Sequence, residues 1–221
     1  MQRGFPFISF AVMVQNEEKI LKPLLEQLAD FSKQYHNSEI VIVDGGSNDA
    51  TIELASKYVP MEKIFVRQFE NDFSDQRNFL TSLCSGEWIF HIDADELMSR
   101  DLFFKLNDML TQASSNNIDV LLLPRVNSIP NMTLEDKEKF ENWGWIIDEE
   151  RHINYPDYQS RIQRKNSMIK WVNPVHERLE GFQKYYHVPA DDKKLVLLHK
   201  KDKIRQYQQQ NRYRKITEDL K

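Results

Sequence analysis

A chain of 221 residues, 40% hydrophobic and 29% charged, has the size of one folded domain and too much apolar content for a disordered segment. Its formal net charge of −4 removes the broad basic surface of a nucleic-acid binder, so no stable nucleic-acid partner is expected. The longest apolar runs are strand-length, far short of the ~18 residues of a spanning helix, and the single cysteine, Cys84, cannot form an intrachain disulfide, so a core role for it and a reducing, cytoplasmic location are expected.

In chain order, residues 8–14 (ISFAVMV) are apolar and β-branched, and the segment after them repeats Ile20, Leu21, Leu24, Leu25 and Leu28 at helical spacing. Residues 1–18 lack the small-residue cleavage site of a secretory leader, so a first strand is expected there, followed by a helix that Asn16 caps. A buried-type strand follows at 39–44, then a glycine loop at 45–49 and a helix at 50–58 capped by Asp49 or Ser47. A third strand is expected at 63–69, a helix at 72–85 with Gly86 as its C-cap, and a fourth strand at 87–93. Strand and helix alternate four times, which predicts an α/β fold with a mostly parallel sheet and helices on both faces. Ligands of such sheets bind beyond the carboxyl ends of the strands.

Residues 102–116 read as another helix and 120–127 as another strand, closing a first half at 127. The stretch 128–160 is irregular, rich in Trp, Tyr, Pro and charge, and longer than a normal connection, which suggests a lid over an acceptor-side half spanning 128–202. Short strands of a smaller mixed or antiparallel part are expected within 160–201, and the basic, polar residues 203–221 as a C-terminal helix. That basic tail is a candidate for peripheral contact with an anionic membrane.

Two polar segments fall at expected strand ends. In VDGGSNDAT (43–51) an Asp and two glycines precede a helix, a pattern suited to close approach of a nucleoside. It is not a GxGxxG fingerprint, and no P-loop is present. In HIDADE (91–96), Asp93 and Asp95 would alternate on an extended segment and share one side, with oxygen ligands suited to Mn²⁺ or Mg²⁺, while Glu96 caps the next helix.

Together, 12–18 (VMVQNEE), 42–51 (IVDGGSNDAT), 75–79 (DQRNF) and 90–96 (FHIDADE) resemble the family 2 glycosyltransferases of the GT-A fold, a Rossmann-like nucleotide-diphospho-sugar transferase architecture. The resemblance implies donor contacts at Gln15, Asn16, Glu17, Asp44, Gly45, Arg77, Asp93 and Ala94, and a divalent metal at Asp95. The positive partner of the acidic run would then be a metal-bound diphosphate. The second half is similar to small bacterial and viral relatives of lipopolysaccharide-core β-glucosyltransferases, on the segment 158–181. There Glu177, after Asn-Pro-Val-His, is the candidate catalytic base, with Asp148, Glu149 and Glu150 in reserve. His199, at the end of a strand and before Lys200 and Lys201, is a candidate third metal ligand; Arg161, Trp171, His176, Lys200 and Lys201 are candidates for acceptor or phosphate contacts. Arg164 also stands out, and the aromatics Trp143, Trp145, Tyr155, Tyr158 and Trp171 suit either a sugar platform or core packing.

The expected function is metal-dependent inverting transfer from a nucleotide-diphosphate sugar, UDP-linked by default, to a glycan or lipid-linked saccharide. The alternatives are a sugar nucleotidyltransferase, disfavoured by the acidic loop Gln15-Asn16-Glu17-Glu18, a non-catalytic nucleotide-sugar or glycan-binding module, and a transferase whose acceptor is a modified DNA base.

Overall fold

The computed structural model describes residues 5–201; the expected helix at 203–221 lies outside them. The elements in chain order are β1 (Ile8–Val14), α1 (Leu21–Tyr35), β2 (Ser38–Asp44), α2 (Thr51–Ala55), β3 (Ile64–Val66), α3 (Phe73–Leu83), β4 (Trp88–Asp93), β5 (Glu96–Met98), α4 (Arg100–Ser115), β6 (Val120–Ser128), α5 (Leu134–Asn142), β7 (His152–Arg164), β8 (Lys170–Val172), β9 (Arg178–Glu180), β10 (Tyr185–His187) and β11 (Leu197–Lys200). Nine strands form one sheet in the order β3-β2-β1-β4-β7-β6-β11-β5, with β10 on β6. The first four are parallel, β7 runs antiparallel between β4 and β6, and β11 is parallel to β6. The late strands therefore complete the same sheet; only β8 and β9 form a separate hairpin.

The period-two pattern of the strands assigns the two faces. Phe10, Val12, Ile40, Ile42, Trp88 and Phe90 are buried against Leu21, Leu25 and Leu28 of α1 and Leu102, Leu106 and Leu110 of α4. Ala11, Val41, Val43 and Ile89 point the other way, onto Leu80 of α3 and Cys84. Cys84 is a core residue whose thiol burial pushes up to about 12. Residue 93 continues the face of Ile89 and His91, so Asp93 emerges on the side of α3.

Several local expectations change. Asn16 adopts a left-handed φ of 58° in a loop instead of capping α1, which starts at Leu21 without a side-chain cap. Helix α3 ends at Leu83 with Cys84 extended, and Gly86 serves a close approach: a Cβ there would lie 2.5 Å from the backbone nitrogen of Ser9 in β1. The stretch 128–160 contains α5, opened by a Thr133–Asp136 capping box, and most of β7. Trp145 packs with Phe140 and Ile153 in a satellite core, and the Tyr155 and Tyr158 hydroxyls donate to the carbonyls of Ala190 and Val188, so packing accounts for these aromatics.

Glu39 at the start of β2 ties the opposite end of the sheet together. It accepts from Lys63 Nζ at 2.6 Å, Ser9 Oγ at 2.6 Å, and the Ser85 N–H and Oγ at 2.6 and 2.7 Å. Burial would raise its pKa, but these donors overcome burial and bring it to about 2 from an ordinary 4.5. A depressed carboxylate stabilises the fold above its unfolded pKa, and that contribution disappears as the pH falls through the folded value. Glu39→Gln is therefore expected to cost roughly 2–3 kcal/mol at neutral pH and to flatten the loss of stability between the two pKa values. Urea unfolding at pH 7, 4.5 and 3 reads this; an acid limb as steep as that of the parent would refute the assignment.

Candidate active site

The polar residues gather at the carboxyl ends of the strands. Strand β1 runs out at Val14 and β2 at Asp44, and the two loops that follow are bonded to each other along their length. Gln15 Nε2 donates to the Gly45 carbonyl at 2.9 Å, the Asn16 N–H to Ser47 Oγ at 2.8 Å, and the Asn48 N–H to Asn16 Oδ1 at 2.9 Å. The buried Glu17 gives its N–H to Thr51 Oγ1 at 2.7 Å, and Glu18 accepts the Ala50 N–H at 3.0 Å. Asp44 is fully buried and turns both oxygens inward, Oδ1 to the N–H groups of Gly46 and Ser47 and Oδ2 to Ser47 Oγ. Its first service is thus to shape the glycine loop. Asp49, not Ser47, steadies the start of α2, accepting the Thr51 N–H at 3.0 Å.

Strand β4 ends at Asp93, and Ala94 and Asp95 form a tight turn into β5, so the extended alternation expected for the two aspartates stops at the first of them. Their side chains reach different partners. Asp93 Oδ1 accepts from Arg77 Nη2 at 3.0 Å, and Oδ2 from Arg161 Nη2. Glu96 does not cap α4, a task Ser99 performs; it is fully buried and accepts from Arg161 Nη2 at 2.6 Å, Arg125 Nη1 at 2.9 Å and the Asp93 N–H at 3.1 Å. Arg125 also holds Asp157, its direct cross-strand neighbour in β6 and β7, at 2.7 Å. Within the chain itself, Asp93 and Glu96 are thus paired with three arginines, partners that the sequence did not reveal.

Arg161 reaches this position through a bulge. Leu121 pairs with Ile162 and Leu122 with Ser160, leaving Arg161 as the extra residue in β7. A bulge re-aims the extra side chain, here between two carboxylates. Burial opposes the charge of Arg161, but Asp93 and Glu96 outweigh it and hold the guanidinium well above its ordinary pKa. The same contest, won by Arg161 and Arg77, holds Asp93 far below the usual carboxylate range.

Glu177 lies just before β9, in the loop after β8, and its Oε1 accepts from Arg77 Nε at 2.9 Å. Arg77 of α3 thus ties Asp93 to Glu177, with its guanidinium 4.9 Å from the centre of the Trp171 ring. Trp171 is 5% exposed and packs with Ile169 and Leu179 beneath the Arg77 guanidinium. His176 is exposed at a left-handed φ of 53° in the turn that presents Glu177. Arg164 is spent elsewhere, donating to the carbonyls of Ser114 and Ile118 behind α4.

On the other flank, His199 Nε2 lies 3.3 Å from Asp95 Oδ2, and Nδ1 lies 2.7 Å from Asn127 Oδ1. Lys201 stands 5.2 Å from the Trp145 ring centre; burial, with Arg125 adding to it, lowers its pKa to about 8. Lys200 is exposed at the end of β11. Of the reserve carboxylates, Asp148 and Glu150 lie with His152 in a cluster of ligand-type atoms within 4.8 Å, but Lys193 Nζ already sits 3.2 Å from Asp148 and 2.5 Å from Glu150. That ammonium offsets one of the two carboxylate charges and occupies the place between them. Glu149 is exposed.

Arg125, Asn127, Asp157 and the buried role of Glu96 were missed in the sequence. The available signal was Arg125 and Asn127 within an otherwise apolar strand, where isolated polar groups require partners.

The family model described as glycosyl transferase family 2 matches residues 9–179. The glycosyltransferase SunS of the Bacillus subtilis SPbeta prophage is 28% identical over 172 residues, covering 78% of this chain and 34% of the relative. The Staphylococcus aureus poly(ribitol-phosphate) beta-N-acetylglucosaminyltransferase TarS is 30% identical over 123 residues, covering 52% of this chain and 21% of the relative. The chain therefore spans about a third or less of the length of these relatives. The crystal structure of S. aureus TarS 1–349 in complex with UDP-GlcNAc superposes with a TM-score of 0.59 at 20% identity, over 89% of this chain and 59% of that one. The fold is shared: a mixed α/β architecture of the GT-A type. Among the described residues no helix is long and apolar enough to cross a membrane.

Proposed function

Because this chain belongs to glycosyl transferase family 2, we propose that it moves a sugar from a nucleotide-diphosphate donor, UDP-linked, to a hydroxyl of a glycan or lipid-linked saccharide, with inversion at the anomeric carbon. The observation that carries the reading is the convergence of Asp93, Asp95, His199, Arg77 and Glu177 around the carboxyl ends of β4 and β11, beside the paired loops 15–18 and 44–51. The solved complex of the relative TarS with UDP-GlcNAc supports the choice of a UDP donor.

In this reading the paired loops take the nucleoside, with Gln15, Asn16, Glu17 and Gly45 offering backbone and amide groups and Asp44 keeping the loop in shape. Asp93 and Ala94 face the ribose or sugar. Asp95 Oδ2 and His199 Nε2, 3.3 Å apart, are the candidate holders of Mn²⁺ or Mg²⁺. The carboxylate oxygen suits either ion, and the imidazole nitrogen favours the transition metal Mn²⁺ over Mg²⁺; cis ligands at octahedral bond lengths of ~2.1 Å are themselves separated by ~3 Å. When bound, the ion neutralises charge on the departing diphosphate. Lys201 and Lys200 add positive charge on the same flank. Arg77 fixes one oxygen of Glu177, leaving Oε2 to take the proton of the acceptor hydroxyl as it attacks from the face opposite the nucleotide. His176 and the segment 128–160 then border the acceptor.

The test is UDP release from a panel of UDP-sugars in the presence of Mn²⁺, with and without saccharide acceptors. Acceptor-stimulated release from one donor is expected. Absence of release from every nucleotide-diphosphate sugar would sink the transfer reading.

A further inference from the structure

We propose that Asn127 is a positioning residue that fixes the tautomer of His199, so that the bare Nε2 lone pair faces Asp95 and a divalent cation. The inference rests on the metal-site reading of Asp95 and His199 given above, and it concerns a residue outside that ligand pair.

The argument is one of hydrogen-bond direction. Asn127 is 2% exposed and sits in β6 between Ile153 of β7 and His199 of β11, its register neighbours on either side. Its amide nitrogen donates twice, to the Ile153 carbonyl at 3.2 Å and to Asp157 Oδ2 at 2.8 Å. Both of those partners are acceptors, so the NH₂ group must point toward them, and the orientation of the amide is determined by the network. Oδ1 is then left facing His199 Nδ1 at 2.7 Å. An amide oxygen only accepts, so the proton of a neutral His199 ring must reside on Nδ1. In that neutral ring Nε2 is unprotonated and its lone pair is directed at Asp95 Oδ2, 3.3 Å away, whereas an imidazolium would donate from both nitrogens. Two electron-rich atoms at that separation are stabilised by a cation between them, a proton in the imidazolium or a divalent metal beside the neutral ring.

The chain of control extends further. Asp157, which holds the Asn127 amide, is itself held by Arg125 through Nε and Nη2 at 3.0 and 2.7 Å. Arg125 binds the buried Glu96, whose backbone lies directly across from His199 in the β5–β11 ladder. Asn127 thus transmits the rigidity of the buried arginine cluster to the imidazole. Outer partners of this kind typically raise metal affinity by 10–100-fold through orientation and ligand basicity.

The experiment has two readouts on the full chain. Long-range ¹H–¹⁵N correlation spectra of histidine-labelled protein, with His199 assigned by His199→Ala, report which ring nitrogen carries the proton. Recorded at a pH where the ring has lost its second proton, the spectra are expected to show the remaining proton on Nδ1 and a bare Nε2; a neutral ring protonated on Nε2 overturns the proposal. Mn²⁺ binding in the presence of UDP is then followed by the electron paramagnetic resonance signal of free Mn²⁺ in the parent, Asn127→Ala, Asn127→Ser, Asp95→Ala and His199→Ala. Expected are a 10–100-fold weakening in the Asn127 variants and the loss of the proton's fixed location on Nδ1. Unchanged affinity in folded Asn127 variants, alongside weakened Asp95→Ala and His199→Ala, overturns the role of Asn127 alone. Unchanged affinity in Asp95→Ala and His199→Ala overturns the metal-site reading itself. The tautomer measurement on the parent stands even where an Asn127 variant does not fold.

Discussion

Glu177→Gln is expected to lower sugar transfer by about 10²–10⁴-fold, the range over which a positioned general base contributes, while leaving donor affinity intact. The geometry makes this substitution unusually clean. Arg77 Nε donates to Glu177 Oε1, and a glutamine oxygen accepts the same bond, so the loop before β9 keeps its anchor on α3. What disappears is the negative charge and the capacity to take a proton. Of the competing carboxylates, Asp148 and Glu150 are already engaged by Lys193. Burial would raise the pKa of Asp148, but the His152 N–H and Lys193 overcome burial and lower it, which makes it a weaker base. Initial rates with the cognate donor and acceptor, together with donor titrations, check the prediction. A Gln variant with near-parental turnover would remove Glu177 from the chemistry.

Arg161→Met is expected to destabilise the fold by about 3–5 kcal/mol, the cost of breaking a buried ion pair by removing one partner. Arg161 is 4% exposed and bridges Asp93 to Glu96, and Glu96 has no exposure at all. Without the guanidinium, among the described residues Glu96 keeps Arg125 and the Asp93 N–H, and Asp93 keeps Arg77. Two carboxylates once separated by a cation then face each other in a poorly solvated setting. The bulge at residue 161 exists to place that charge, so methionine fills the volume without replacing the function. Equilibrium unfolding in urea reads the effect. A loss below about 1 kcal/mol would mean that the network contributes little to the native state.

The parallel half of the sheet was legible because its signals are local. Phe10, Val12 and Val14 alternate with Ala11 and Met13, and the strand length and turn residues agree with that pattern. The paired loops at Gln15–Glu18 and Asp44–Thr51 were equally visible as polar clusters at strand ends, although Asn16 turned out to join the two loops and not to cap a helix. The charge network was not legible. Its members are separated by up to a hundred positions, as in the bond from Arg77 to Glu177, and only the sheet order places β7 between β4 and β6. The extended alternation expected for Asp93 and Asp95 also failed for a topological reason: the turn after β4 gives the two side chains different partners, arginines for one and His199 for the other. Helix α5 was hidden by its polar composition, yet Thr133 and Asp136 form the capping pattern that marks its start.

The most direct test of a metal-assisted nucleotide-sugar site is the thermal unfolding midpoint of the parent chain and of Asp95→Ala against UDP and a panel of UDP-sugars, each with and without Mn²⁺. A ligand at a hundred times its dissociation constant adds ~2.7 kcal/mol to stability, a shift that such a scan resolves. The account predicts Mn²⁺-dependent stabilisation of the parent by UDP and by one class of UDP-sugar, lost in Asp95→Ala. A parent midpoint that no nucleotide diphosphate moves, with Mn²⁺ or without, would contradict it.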